Sequence, residues 1–287
     1  MQSRALAVVF LFLPGLAHAW GEDGHRIIAD AALELLPEKL RFDREAFEEA
    51  CIEPDRRKHV VLDEGPRHYV DIERWNDGFL KAARTAHSKA ELIKLYQDAW
   101  PVANLDAIYT VIPPTREAYE KWRGPVADDD LGTIFYAVAE AQAAYAKQHS
   151  LRAAGDLCHY IGDLVQPLHN TANHRGQLSG NASCERNSVH ERYESEMVHQ
   201  FRKELLIRVR AALRKPAAPA ESGDVVAIAI AHGHRARDRL DAILAADRTS
   251  GTTCPVHDTR ELYDKTGAMT VEQLADAVRL LVRLMSR

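Results

Sequence analysis

The sequence lacks any C-x-x-C pair, any excess of basic residues and, past residue 19, any apolar run long enough to cross a bilayer. A spanning helix needs about 20 apolar residues, so Trp20 to Arg287 reads as a chain that folds outside the membrane. A formal net charge of -5 offers no basic patch for a polyanion. Any phosphate substrate must therefore be attracted locally, most simply by metal. Sustained apolar alternation, internal repeats and low-complexity tracts are also missing, which argues against a strand-rich or repetitive architecture.

What is present begins at the N-terminus. Met1-Gln-Ser-Arg4-Ala precedes the apolar stretch from Leu6 to Leu16, which ends in Ala17-His18-Ala19. A short basic start, an apolar segment and an A-x-A end describe a secretory signal peptide. Cleavage between Ala19 and Trp20 is expected, giving a periplasmic or secreted domain of residues 20–287 whose charge becomes -6 once Arg4 leaves. In an oxidising compartment Cys51, Cys158, Cys184 and Cys254 permit two disulfides in any of three pairings. Cys158, beside His159 on an expected core helix, also reads as a buried thiol.

Apolar residues recur at spacings of three and four, as in Ile27, Ile28, Ala31 and Leu35 or Leu205, Leu206, Val209 and Leu213. These are helical periods. Helices are expected near 22–36, 39–51, 88–98, 128–148, 150–166, 187–214, 223–247 and 270–285, with turns at Pro54, Gly65-Pro66, Pro113-Pro114, Gly124-Pro125, Gly176 to Gly180, Pro216 to Pro219 and Ser250-Gly251. The fold class is all-α, one compact multi-helix domain with long loops.

The chemistry lies in His159-Tyr-Ile-Gly-Asp163-Leu-Val-Gln-Pro-Leu-His169 and His190-Glu-Arg-Tyr-Glu194. Residues four apart share a helix face, so His159 with Asp163, and His190 with Glu194, can each grip one ion. Pro167 ends the first helix and lets His169 turn back. Upstream, Trp20-Gly-Glu-Asp-Gly-His25 sets an imidazole near the expected new amino terminus, where an α-amine and its carbonyl can chelate. Glu53-Pro-Asp55 and Gly65-Pro-Arg-His68 add a carboxylate and an imidazole on expected loops stiffened by proline. Nitrogen and oxygen donors suit zinc or a similar ion. Eight side chains and a terminus exceed one tetrahedral site, so two or three ions with a bridging carboxylate are expected.

The ordered set Trp20, His25, Asp55, His68, His159, Asp163, His169, His190 and Glu194 resembles the ligand set of the zinc-dependent phospholipase C and single-strand-specific nuclease superfamily. The resemblance implies an all-helical phosphodiesterase with three Zn2+ ions. Asp55, His68, His159 and Asp163 would hold the first ion. Asp163 would bridge to a second, completed by His25 and the Trp20 amine and carbonyl, and His169, His190 and Glu194 would hold the third. Paired zinc ions bring a shared water towards neutral pKa, with Asp55 and Asp163 as the catalytic carboxylates and Asp71 on the substrate side. Glu194, Tyr193 and Pro54-Asp55 resemble the phospholipase branch, while Val165, where the nucleases usually carry histidine, and Ser179-Gly180-Asn181, which only approximates their Gly-Gly-Asn, depart from the nucleases. The Trp-Gly-x-x-Gly-His frame and Asn187-x-x-His190 resemble the nucleases. A monomeric phospholipase C-like hydrolase acting on a phospholipid head group is the preferred expectation, ahead of a nuclease of single-stranded nucleic acid and a non-catalytic zinc protein. Tyr69, Trp75 and Phe79 are candidates for a substrate rim or for core. His174, His199, His232, His234 and His257 are set aside as solvated or structural.

Overall fold

A computed structural model describes residues 20–58, 60–61, 63–74, 112–123, 131–182, 188–216, 222–250 and 259–287. Nine α-helices are described: α1 (Gly21–Leu35), α2 (Arg44–Arg57), α3 (Arg116–Arg123), α4 (Ile134–Gln148), α5 (Leu151–Val165), α6 (Val198–Leu213), α7 (Val225–Arg237), α8 (Leu240–Arg248) and α9 (Thr259–Met285). Among the described residues there is no strand, only an isolated bridge between Val70 and Gly132. The chain is an all-α, compact multi-helix protein, and none of the described helices is long and apolar enough to cross a membrane. The expected signal segment, the 88–98 helix, Trp75 and Phe79 lie outside the described residues, as do Cys184, Cys254 and His257.

The centre is α5. Leu157, Ile161 and Leu164 are buried from solvent, and the helix packs against α1, α2, α4, α7 and α9. Removing such side chains from water contributes about 1.5–3 kcal/mol each. Ser150 starts the helix by accepting from the Ala153 amide at 3.3 Å, and Pro167 stops it as expected, since proline disfavours a helical conformation at Gln166. Gln166 is extended, and a tight turn over Pro167–His169 follows.

Where α2 crosses α5, Gly155 is required. A Cβ there would lie 2.5 Å from the Ala50 carbonyl oxygen. Pro54 has no N–H to offer that carbonyl, and it sits inside α2, which continues to Arg57. The expected break at Pro54 is therefore wrong: Asp55 stands on the last turn of a helix. The expected 39–51 helix starts instead at Arg44, because Asp43 caps it through the Ala46 amide at 3.0 Å.

Three other expectations change. The 187–214 segment contains a wide π-helical turn over Glu191–Met197 before α6, the 223–247 segment splits into α7 and α8, and the last helix begins at Thr259 rather than 270. Hydroxyls at Thr266 and Thr270 satisfy themselves on carbonyls one turn back, so polar residues in α9 do not interrupt it. Cys51 and Cys158 are buried free thiols within hydrogen-bonding reach of one another, and no disulfide occurs among the described residues.

Candidate metal centre

Four stretches of backbone bring the donors together. His25 comes from α1, Asp55 from α2, and His159 and Asp163 from α5. His68 ends a short turn stitched to the segment before α4: the Thr133 amide donates to the Pro66 carbonyl at 2.7 Å and the Asp71 amide to the Leu131 carbonyl at 2.9 Å. Gly132 permits this approach, because it has φ +81° and a Cβ would fall 2.0 Å from the Tyr69 carbonyl oxygen. The Val70 amide in turn donates to the His169 carbonyl at 2.8 Å, tying the His68 turn to the Pro167–His169 turn.

Three groups result: His25, His159 and Asp163; Asp55, His68 and His159; and His169, His190 and Glu194, each with donor atoms within 4.8 Å of one another. Asp163 divides its oxygens. Oδ1 faces His25 Nε2 at 3.2 Å, while Oδ2 faces His68 Nδ1 at 2.9 Å and His159 Nε2 at 3.2 Å. Asp55 Oδ1 lies 3.7 Å from His68 and 3.9 Å from His159 and is paired with Lys58 Nζ at 2.8 Å. In the third group Glu194 Oε2 lies 2.7 Å from His190 Nε2 and 3.3 Å from His169 Nε2, and the two imidazole nitrogens are 3.1 Å apart. Donors around a tetrahedral zinc with bonds of about 2.0–2.1 Å stand about 3.3–3.4 Å from each other.

The surroundings orient the rings. His159 Nδ1 meets the Cys51 carbonyl at 2.7 Å and His169 Nδ1 meets the His68 carbonyl at 2.6 Å. As donors to those carbonyls, both nitrogens leave Nε2 with a lone pair directed at the cluster, the arrangement that supports a metal-ligating histidine. His68 is reversed: Nδ1 faces the cluster and Nε2 faces Glu64 Oε1 at 3.6 Å. His25 Nδ1 and Nε2, His68 Nε2, Asp163 Oδ1 and Glu194 Oε1 are buried without a hydrogen-bond partner. Buried polar atoms are rarely left so, and their concentration on these residues fits a set of cation donors.

Electrostatics agrees. Burial by itself would raise the Asp163 carboxyl, but the His159 charge and the surrounding imidazoles outweigh it and hold the group well below its usual range. Burial would likewise raise Glu194, yet His190 and His169 bring it down to about 2. His169 moves the other way: burial lowers it, Glu194 outweighs burial, and the result is about 9. His159 is raised by Asp163 and Asp55 against burial, whereas His25 is lowered by burial and by His159. Anionic carboxylates are thus fixed among imidazoles, and a cation bound there would displace the proton that His159 and His169 are favoured to hold.

Trp20 is the remaining expected donor. Its side chain is buried and tilted against Tyr193 with centroids 5.7 Å apart, and its backbone is left-handed at φ 44°, a sparsely populated conformation for a bulky residue. Gly21 packs on Ser195 and the Glu194 carbonyl, so the Trp20 backbone lies beside the π-helical turn. The Trp20 carbonyl accepts from the Gly24 amide at 3.0 Å.

A cleft of about 380 Å³ opens beside the donors, lined in part by Lys58, His68, Tyr69, Asp71, His169 and His190. Asp71 and Tyr69 therefore stand where a substrate-side group would. His174, set aside in the sequence as solvated or structural, also lines the cleft. Two further residues escaped the sequence reading. Gln166 donates through Nε2 to Glu194 Oε2 at 2.6 Å, and Glu64, lowered to about 2 despite burial by the nearby His68 imidazole and by its bonds with Tyr160 and Arg57, backs His68. Gln166 lay inside the quoted motif, and Glu64 sits four positions before His68; that spacing was the available signal.

No protein-family model matches the chain, and a search of the curated proteins finds no match.

Proposed function

We propose that the protein is a zinc-dependent hydrolase of phosphoric esters, phospholipase C-like in its substrate. The observation that carries the reading is Asp163, fully buried, with one oxygen turned to His25 and the other to His68 and His159. One carboxylate presented to two sets of imidazoles is the donor arrangement for two neighbouring ions. His169, His190 and Glu194 would hold a third. Such ions, when bound, lower the pKa of water and neutralise charge on phosphoryl oxygens.

The chain's own residues supply the rest. Asp55, with Oδ1 near His68 and His159, is the carboxylate positioned to orient a water or accept its proton. Glu194, Tyr193 and the Pro54-Asp55 pair, which resemble the phospholipase branch, favour a lipid head group. The donor set contains no thiolate, unlike most closed structural zinc sites, which supports an enzyme over a zinc-storing protein. The nuclease reading draws on the Trp20-Gly-x-x-Gly-His25 frame.

The test is a side-by-side assay of the zinc-loaded protein on phosphatidylcholine and on single-stranded DNA. Hydrolysis of the lipid, abolished by chelation and restored by zinc, is expected. Cleavage of DNA alone would select the nuclease, and inertness towards both substrates and bis(p-nitrophenyl) phosphate would end the catalytic reading.

A further inference from the structure

We propose that His174 is a substrate contact: its imidazole donates an N–H to a phosphoryl oxygen seated over the His169, His190 and Glu194 cluster. The inference rests on the phosphoesterase reading and assigns a residue that the ligand set does not contain.

His174 follows His169 by five positions. Its ring meets that of His190 edge-on, with centroids 5.7 Å apart and planes at 71°, and it lines the cleft beside Lys58, Asp71 and Thr171. It does not join the three residues whose donor atoms lie within 4.8 Å of one another. Geometrically it is a neighbour of the cluster facing the same space, rather than a fourth donor.

The loop that presents it is fixed from both sides. Buried Glu73 accepts from Thr171 Oγ1 at 2.8 Å, from the Ala172 amide at 3.0 Å and from Arg237 Nε at 2.9 Å. Asn170 Nδ2 donates to the Leu164 and Gln166 carbonyls, each at 2.9 Å. Beyond the histidine, the Leu178 amide donates to Asn173 Oδ1 at 2.7 Å and the Arg175 amide to Gln177 Oε1 at 3.0 Å. These bonds fix the path of the backbone on either side of His174, which a positioned binding group requires.

The chemistry of the cleft favours a donor here. Lys58, a cation of the cleft lining, is engaged by Asp55 at 2.8 Å. An uncharged imidazole offers an N–H without placing a further positive charge beside a cation cluster.

The experiment uses the full-length zinc-loaded protein, inorganic phosphate as the calorimetric probe, and the variants His174→Ala and His174→Gln. Expected are unchanged zinc content in both, phosphate binding weakened about tenfold to a hundredfold in the alanine variant, a matching rise in KM for the ester, and substantial recovery in the glutamine variant, whose amide still donates. Wild-type phosphate affinity in a fully zinc-loaded alanine variant overturns the inference alone. Loss of zinc makes His174 a metal-holding residue and overturns it too. A wild-type holoprotein that binds zinc but neither phosphate nor ester defeats the phosphoesterase reading itself.

Discussion

The two ends of the donor array are built from different backbone. At one end His25, Asp55, His159 and Asp163 project from three regular α-helices and are sealed from solvent. At the other, His169 closes a tight turn and Glu194 rides on a π-helical turn, with His190 just before it and the cleft alongside. Regular helices locked by close crossings resist displacement. Irregular turns held by side-chain hydrogen bonds place donors where a straight helix would not, and π-helical turns recur at functional sites for that reason. The sealed end is suited to fixing ions in place, and the open end to meeting a ligand.

This contrast can be broken by substitution, and Asp163→Asn should have the largest effect. It neutralises the carboxylate shared by two clusters and replaces one of its oxygens with an amide nitrogen, so loss of more than one equivalent of zinc and a fall in hydrolysis of about a thousandfold or more are expected, read by elemental analysis and turnover. Retention of full zinc content would sink the bridging role. Glu194→Gln touches only the open end; one equivalent should leave, the sealed pair should stay, and activity should drop on the order of a hundredfold. If both variants shed the same number of ions, the two ends are not independent. Gln166→Ala is smaller still. It deletes the amide that donates to Glu194 at 2.6 Å, and a ten- to hundredfold weakening of zinc confined to the third cluster is expected, measurable by competition with a chromogenic chelator.

The smallest effect is one of pH on the metal-free protein. His169 is raised to about 9 in the folded chain from an unfolded value near 6.5. Its contribution to stability is therefore complete below about pH 6.5 and is lost as pH rises through about 9. Melting curves of the chelated protein should fall by a few degrees across that window relative to the zinc-loaded protein, and His169→Gln should remove the difference. Parallel curves for both forms would show that no cation replaces that proton.

How much of this was readable beforehand follows the same division. The i,i+4 pair His159 and Asp163 on α5 and the stop at Pro167 were legible because helix periodicity and proline stereochemistry act locally. So was the all-α class. Asp55 was misplaced on a loop because Pro54 reads as a breaker, whereas in the structure the carbonyl it cannot serve, that of Ala50, is the one facing Gly155. The π-helical turn left no mark on the sequence, since its extra residue is held by tertiary contacts such as Arg192 with buried Asp247 at 2.6 Å. His174 and Gln166 acquire their roles only once distant segments meet, whereas Glu64, four positions before His68, carried a local signal in its spacing.

The divided oxygens of Asp163 also bear on how ions would load. Two cations sharing one carboxylate cannot bind independently: the first orders Asp163 for the second but also repels it, and the balance is a coupling free energy that is the same whichever arrives first. Titration of the metal-free protein should then resolve one cooperative or anticooperative pair and one independent event. In that sense a single aspartate makes the sealed end one thermodynamic unit, while the open end exchanges its ion on its own terms.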